Sequence, residues 1–252
     1  MISSNSDIYK LFNMDSRELL LRFPSESIDL ILADPPYNIS RYSTGNIPRA
    51  GKTTLNNEIA DWDKILVKPD EYVDVFKRII KPTGNIIIFS GYNQIGEWHK
   101  AFDPVFDTFQ IFVWHKTNPA PKVYRNGFRN SCEFAIFLWN RGHVWNFSTQ
   151  EKMHNFYECP ICSYPERLKS PFHPTQKPIQ LLEHFIKIAS NPGAIILDPF
   201  MGVGSTGVAA IKNGRRFIGC DLNKDYVEAA QGRIVTSTDV AYKPLPQNHS
   251  NL

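Results

Sequence analysis

The chain has 252 residues, of which 42% are hydrophobic and 21% charged, and it carries a formal charge of +3. This fits one sizeable folded domain, or one domain with an inserted lobe. Apolar runs such as NIIIF and AIIL are far too short to cross a bilayer, and the polar start MISSNSDIYK lacks the apolar stretch of a secretory signal, so a soluble cytoplasmic protein is expected.

In chain order, strand patterns fall over 8–12, 28–33, 85–90, 109–114, 133–139, 194–197 and 217–220, and helix patterns over 16–22, 69–80, 94–102, 178–190, 206–213 and 224–234. Their alternation predicts a mainly parallel sheet with helices on its faces. The helix from Pro69 has acids in its first turn, apolar Tyr72, Val73, Phe76, Ile79 and Ile80, and a stop at KPTG. Too little chain separates 109–114 from 133–139 for an obvious crossover helix, so these two predict an antiparallel hairpin at one edge.

Two segments resist the alternation. Residues 38–62 are polar and irregular, and 143–172 are rich in aromatics, His, Cys and Pro without clean periodicity, as functional loops are. The tail 236–252 is low in apolar content and is expected to be flexible. Arg41, Arg49 and Lys52, and further on Lys116, Lys122, Arg125 and Arg129, lie in acid-free loops that suit a polyanion, although ordinary solvated loops look the same. Four scattered cysteines, two of them in strand segments, read as reduced thiols. His143, His154, Cys159, Cys162 and His173 contain only half a zinc knuckle, so no metal is expected. GNIPRAGKTT mimics a phosphate loop, but its glycines are one residue too far apart and no strand leads into it.

Two stretches carry chemistry. IDLILADPPYN leaves a buried strand through Asp34, Pro35, Pro36 and Tyr37; the prolines stiffen the segment and remove two N–H groups, so carbonyls stay unpaired. IILDPFMGVGSTGVAAIKNGRRFIGCDLN ends a strand in Asp198, turns through glycines into a helix and ends a second strand in Asp221. That is the layout of a nucleotide-type βαβ unit, in which an acid about 20 residues on meets ribose hydroxyls.

With Phe200 before its glycines, DPFMGVGSTG resembles the S-adenosylmethionine loop of the amino DNA methyltransferases, and Asp34-Pro35-Pro36-Tyr37 resembles that family's catalytic tetrapeptide. The tetrapeptide precedes Asp198 by 164 positions, which matches the order of the β class, and HPTQKP at 173–178 is similar to the family's motif just before the cofactor loop. The resemblance spans about 8–234 and implies an α/β fold: a Rossmann-like doubly wound mixed sheet of about seven strands in circularly permuted order. One domain would cover 1–235, with recognition segments inserted at 38–62 and 143–172. The N-terminal strand would then lie beside strands supplied by the C-terminal end, with Asp15 on the same sheet edge as Asp198 and Asp221.

The resemblance also implies an S-adenosylmethionine-dependent enzyme that methylates an exocyclic amine, most consistently adenine N6, in flipped-out bases of double-stranded DNA. Cytosine N4 is the alternative, since those enzymes usually carry Ser in place of Asp34. A catalytically silent relative is a second alternative. Glutamine N-methylation fits poorly, because that family has Asn at the position of Asp34 and the cofactor loop first. The β class often dimerises.

The expected catalytic residues are Asp34 and the Pro35 carbonyl as acceptors of the two amine hydrogens, Pro36 as a stiffener and Tyr37 as a stacking face. The expected cofactor residues are Phe200, Gly202 and Gly204 in the turn, Ser205 and Thr206 at the helix start beside the methionine carboxylate, Thr175 and Lys177 on that same carboxylate, Asp198 at the strand end, and Asp221 on the ribose. Asp15 reads equally as an adenine contact and as the N-cap of the next helix.

Overall fold

The computed structural model describes residues 8–38, 47–49, 52–55, 67–122, 125 and 127–241. Strand β1 (Tyr9–Asn13) leads through Asp15, which caps helix α1 (Ser16–Leu21), to β2 (Ile28–Ala33). β3 (Ile47–Arg49) and β4 (Lys52–Leu55) form a separate antiparallel ribbon inside the segment expected to be irregular. Helix α2 (Asp70–Ile79) buries Tyr72, Phe76 and Ile79 on one stripe. Asp70 and Glu71 in its first turn and Lys77 and Arg78 in its last complement the helix dipole.

There follow β5 (Ile80–Ser90), α3 (Ile95–Phe102), β6 (Thr108–Lys116), β7 (Cys132–Trp139), β8 (Phe156–Cys159), α4 (Ile179–Ala189), β9 (Ile195–Asp198), α5 (Ser205–Lys212), β10 (Arg216–Asp221) and α6 (Lys224–Ala241).

Eight strands form one sheet in the order β1-β10-β9-β2-β5-β7-β6-β8, and only β7 runs against the rest. As expected, β1 lies beside β10; β9 separates β10 from β2. Asn13 Nδ2 fixes that seam by donating to the Asp221 and Leu222 carbonyls at 3.0 and 2.9 Å.

The central strands are apolar on both sides because both faces are covered. Leu30, Leu32, Ile87 and Phe89 meet α4, α5 and α6 through Phe185, Val208 and Val227. The alternate residues Ile31, Ala33, Ile86 and Ile88 meet α1, α2 and α3 through Leu20, Phe76 and Trp98.

Four expectations need correction. The β6–β7 hairpin exists, but it is not the edge, because β8 covers the outer side of β6 and makes an eighth strand within 143–172. That four-residue strand buries only Cys159, so it leaves no alternation to read; backbone pairing and the Trp114 indole, donating to the Cys159 carbonyl at 3.0 Å, hold it. Helix α2 stops before KPTG as expected, but the strand expected over 85–90 begins already at Ile80, and a register shift against β2 absorbs the extra residues. Helix α6 continues through Thr236 to Ala241, where the hydroxyls of Thr236, Ser237 and Thr238 donate to carbonyls four residues back; residues 242–252 of the tail lie outside the described residues. Trp62, Arg41 and most of the segment 38–62 lie outside them as well.

Among the described residues no helix is long and apolar enough to cross a membrane, and no group of three or more His, Cys, Asp or Glu is placed to hold a metal ion.

Candidate active site

β2 and β9 are parallel neighbours, with Ile31 beside Leu197, so Asp34 and Asp198 emerge side by side at the carboxyl edge of the sheet, where open α/β sheets bind ligands. Their proximity registers electrostatically, since the Asp34 charge helps to raise the proton affinity of Asp198. Pro35 is buried, and among the described residues no donor reaches its carbonyl. The Tyr37 carbonyl, by contrast, accepts from Asn93 Nδ2 at 3.0 Å, and the Asn38 amide oxygen accepts from Gln94 Nε2 at 2.9 Å. The segment is thus braced just beyond the two prolines.

Four charged groups meet here. Lys177 Nζ, with 6% of its side chain exposed, donates to Asp34 Oδ1 at 2.8 Å and Oδ2 at 2.7 Å and pairs with Glu133 Oε1 at 2.8 Å. It also lies over the faces of Phe89 and Tyr37, at 4.8 and 5.2 Å. Glu133 Oε2 takes Lys116 Nζ at 2.8 Å. Tyr37 Oη is 2.9 Å from Asp34 Oδ1 and 2.7 Å from Glu133 Oε1 and shares its one proton between them.

Burial alone would raise Glu133, but the two lysines outweigh it and hold that carboxyl far below its usual range. Burial would likewise discharge Lys177, yet Asp34 and Glu133 keep it charged. Asp34 is pushed upward, chiefly by burial and then by the Glu133 charge acting against Lys177. Asp34 retains 19% exposure of its side chain, so it opens to solvent.

On the cofactor-type side, Gly202 and Gly204 both adopt positive φ, +51° and +77°. A Cβ on Gly204 would lie 2.6 Å from Ala230 Cβ in α6, and one on Gly202 would lie 2.8 Å from His173 Nε2. The glycines therefore serve close packing as well as the turn. Asp221 Oδ2 accepts from the Gly202 N–H at 3.1 Å, and Asp198 Oδ1 from the Phe200 N–H at 2.9 Å, so both acids brace the loop. The Phe200 ring packs against Tyr72 of α2 at 5.6 Å. The first-turn N–H groups of α5 have no intrahelical partner. The hydroxyls there are committed elsewhere, Thr206 to Asp198 and Ser205 to Arg233 Nη1 at 3.2 Å.

The loop 173–177 straps the two halves together. His173 sits on Gly202, and its proton affinity is lowered to about 4 by burial and then by Lys177, Arg167 and Arg233. Gln176 pins the strap through the Glu166 carbonyl, the Leu168 N–H and Cys162 Sγ. Lys177 closes it on Asp34.

Lys177, expected beside a cofactor carboxylate, is placed on the carboxylate of Asp34 in the acid-Pro-Pro-Tyr segment, as a buried ammonium settles on buried carboxylates. Thr175 is exposed on the same turn. Asp15 is the N-cap of α1: Oδ1 accepts from the Arg17 N–H at 2.8 Å, and the Arg17 guanidinium grips both oxygens.

No motif marks Glu133, and Lys116 falls in a stretch that by charge suits a polyanion. The hairpin pattern over 109–114 and 133–139 carries the signal, since it sets Lys116, just past one strand, near the acid that opens the next.

Asp198 yields a pH prediction. It is 2% exposed, and its carboxyl is raised from 3.8 to about 7, chiefly by burial. Between those values the folded protein binds a proton that the unfolded chain has lost, so stability falls as pH rises through the window. Relative to Asp198→Asn, the wild type is expected to lose up to about 4 kcal/mol between pH 4 and pH 8, read from urea unfolding at both pH values. Parallel curves for the two proteins would mean that Asp198 is ionised and paired throughout.

Solved structures share the whole architecture. PvuII DNA methyltransferase, a cytosine-N4-specific enzyme, aligns with a TM-score of 0.67 over 94% of this chain and 92% of its own at 20% identity, a likeness of fold. The M1.HpyAVI–SAM complex aligns with a TM-score of 0.63 at 27% identity, over 90% of this chain and 100% of its own. The fold, with the acid-Pro-Pro-Tyr segment and the glycine turn at one sheet edge, is a methyltransferase fold. In sequence, the chain is 32% identical over 243 residues to the Type II methyltransferase M2.DpnII of Streptococcus pneumoniae, covering 89% of this chain and 88% of that one. Residues 28–232 match the N6_N4_Mtase DNA methylase family, and the chain belongs to it.

Proposed function

We propose that the protein methylates adenine N6 in double-stranded DNA, on a base flipped out of the helix. The observation that carries this reading is the acceptor pair at the edge of β2. Asp34 is a carboxylate with one unused lone-pair site on Oδ2, and the Pro35 carbonyl beside it meets no donor among the described residues.

An exocyclic amine is a poor nucleophile because its lone pair is delocalised into the ring. Two acceptors for its two hydrogens draw nitrogen toward tetrahedral geometry and aim the lone pair outward. S-adenosylmethionine, the family's donor, supplies an electrophilic methyl on a positively charged sulfur. The amine nitrogen bonds to the methyl carbon as the carbon–sulfur bond breaks with its electron pair going to sulfur, and Asp34 takes the proton that nitrogen loses.

The charge of the site suits such a donor. Asp34, Asp198 and Asp221 lie at one sheet edge, and burial is the chief cause of the raised proton affinity of all three; a sulfonium beside them would favour their charged forms. In this reading Gly202 and Gly204 leave room for the cofactor backbone, the first turn of α5 faces its carboxylate, and Asp221 and Asp15 lie toward ribose and adenine. Tyr37 offers a face to the base. The exposed Lys122, Arg125 and Arg129 follow phosphates, and the segments 38–62 and 143–172 read the sequence.

Cytosine N4 is the second reading, favoured by the likeness to the cytosine-N4-specific PvuII enzyme; the carboxylate at Asp34 favours adenine. Mass spectrometry of nucleosides from DNA methylated by the purified protein decides between them. N6-methyladenine is expected, N4-methylcytosine would reverse the base assignment, and unmodified DNA would leave a silent member of the family.

A further inference from the structure

Lys177 and Tyr37 leave Asp34 little to spare. An ionised carboxylate offers about four lone-pair sites; Lys177 takes one on each oxygen and Tyr37 a second on Oδ1, leaving one on Oδ2. A lysine ammonium with Asp34 as its only partner would set its whole charge against that one carboxylate. What prevents this is Glu133, whose Oε1 takes the third Lys177 proton at 2.8 Å and lies closer to Tyr37 Oη than Asp34 does, 2.7 against 2.9 Å. Glu133 itself is 14% exposed and is held from the other side by Lys116 at 2.8 Å.

We propose that Glu133 is a positioning residue of the methyl-transfer site: fixed from behind by Lys116, it draws the Lys177 ammonium and the Tyr37 hydroxyl toward itself and so keeps one lone pair of Asp34 for the amine hydrogen. This rests on the reading of Asp34 as the amine acceptor. The same division of charge serves the proton balance of the reaction, because a carboxylate that owned Lys177 outright would resist taking the proton released by nitrogen. The groups facing Asp34 are Tyr37 in its own segment, Lys177 in the strap before α4, Glu133 at the start of β7 and Asp198 at the end of β9; Lys116, at the end of β6, faces Glu133.

The test uses Glu133→Gln, which keeps an oxygen for Lys177 and Tyr37 but removes the charge. In the full-length protein kcat is expected to fall at least about tenfold, with cofactor Kd nearly unchanged and the acid limb of the kcat–pH profile moved to lower pH, because Lys177 now bears on Asp34 alone. Glu133→Asp should return that limb toward its original position. Lys116→Gln, at the rim of the site, should move it the opposite way, since Glu133 then pulls harder on Lys177.

The Asp34 carboxyl midpoint, followed by carbon NMR without DNA or cofactor, should move in the same two directions and needs no activity. A Glu133→Gln protein with wild-type kcat, or Asp34 midpoints that do not move in either variant, overturns the proposal. If Glu133→Gln does not fold, Lys116→Gln alone decides it by the same midpoint. If the wild type methylates no DNA, the functional reading fails, while the Asp34 midpoints still decide the role of Glu133.

Discussion

Asp34→Ala is expected to abolish methyl transfer while leaving S-adenosylmethionine affinity within about a few-fold. The two halves of that expectation come from different parts of the sheet edge. Turnover is lost because the Pro35 carbonyl is left as the only acceptor of the pair, and removing a single polar stabiliser of this kind from other active sites costs about 100- to 1000-fold in kcat. Here the proton acceptor goes with it. Affinity is retained because the glycine turn is built by Asp198, Asp221 and Ala230, none of which bonds to Asp34.

The variant should fold, since Lys177 keeps Glu133 and the two ring faces, but at a cost in stability, because a buried cation has lost one of its partners. Asp34→Asn separates shape from charge: it retains an acceptor oxygen but not the proton acceptor, and should recover stability better than rate. Single-turnover methylation alongside calorimetric cofactor binding reads both quantities. Wild-type turnover in Asp34→Ala would eliminate the mechanism.

Gly204→Ala is expected to destabilise the protein by about 2–5 kcal/mol and to weaken cofactor binding. A side chain at φ +77° costs about 1–2 kcal/mol by itself. The new methyl would lie 2.6 Å from Ala230 Cβ and 3.0 Å from its Cα, so one of two packed helices must shift, an overpacking cost of about 1–3 kcal/mol. Gly214 isolates the two contributions: it has φ +71°, and a Cβ there would meet nothing within 4 Å, so Gly214→Ala should cost only the backbone part. Thermal unfolding of the pair measures the difference. Equal losses would show that α5 and α6 can part without strain, and the close-packing role of Gly204 would be wrong.

The central strands were legible in the sequence because a sheet covered on both faces leaves unbroken apolar runs, and 30–33 and 86–89 are such runs. Helix α2 was legible for the complementary reason, one apolar stripe with charges ordered along its axis. Strand β8 was not, since a short edge strand with one buried side chain is held by backbone hydrogen bonds, to which side-chain patterns are blind. The end of α6 was hidden by hydroxyl side chains that look like loop composition but donate back into the helix.

The same division holds in the site. The sequence by itself determined the chemistry on offer: an acid locked ahead of two prolines, and glycines between two strand-ending acids. Only the tertiary structure decided which groups share a charge. Residues 34, 116, 133 and 177 are spread over four elements, and only the hairpin that sets 116 near 133 is local enough to be read; nothing local announces the other partnerships. Their partnership follows from the sheet order that brings β2, β6, β7 and the strap before α4 to one edge, and from the rule that charges removed from water must find each other there.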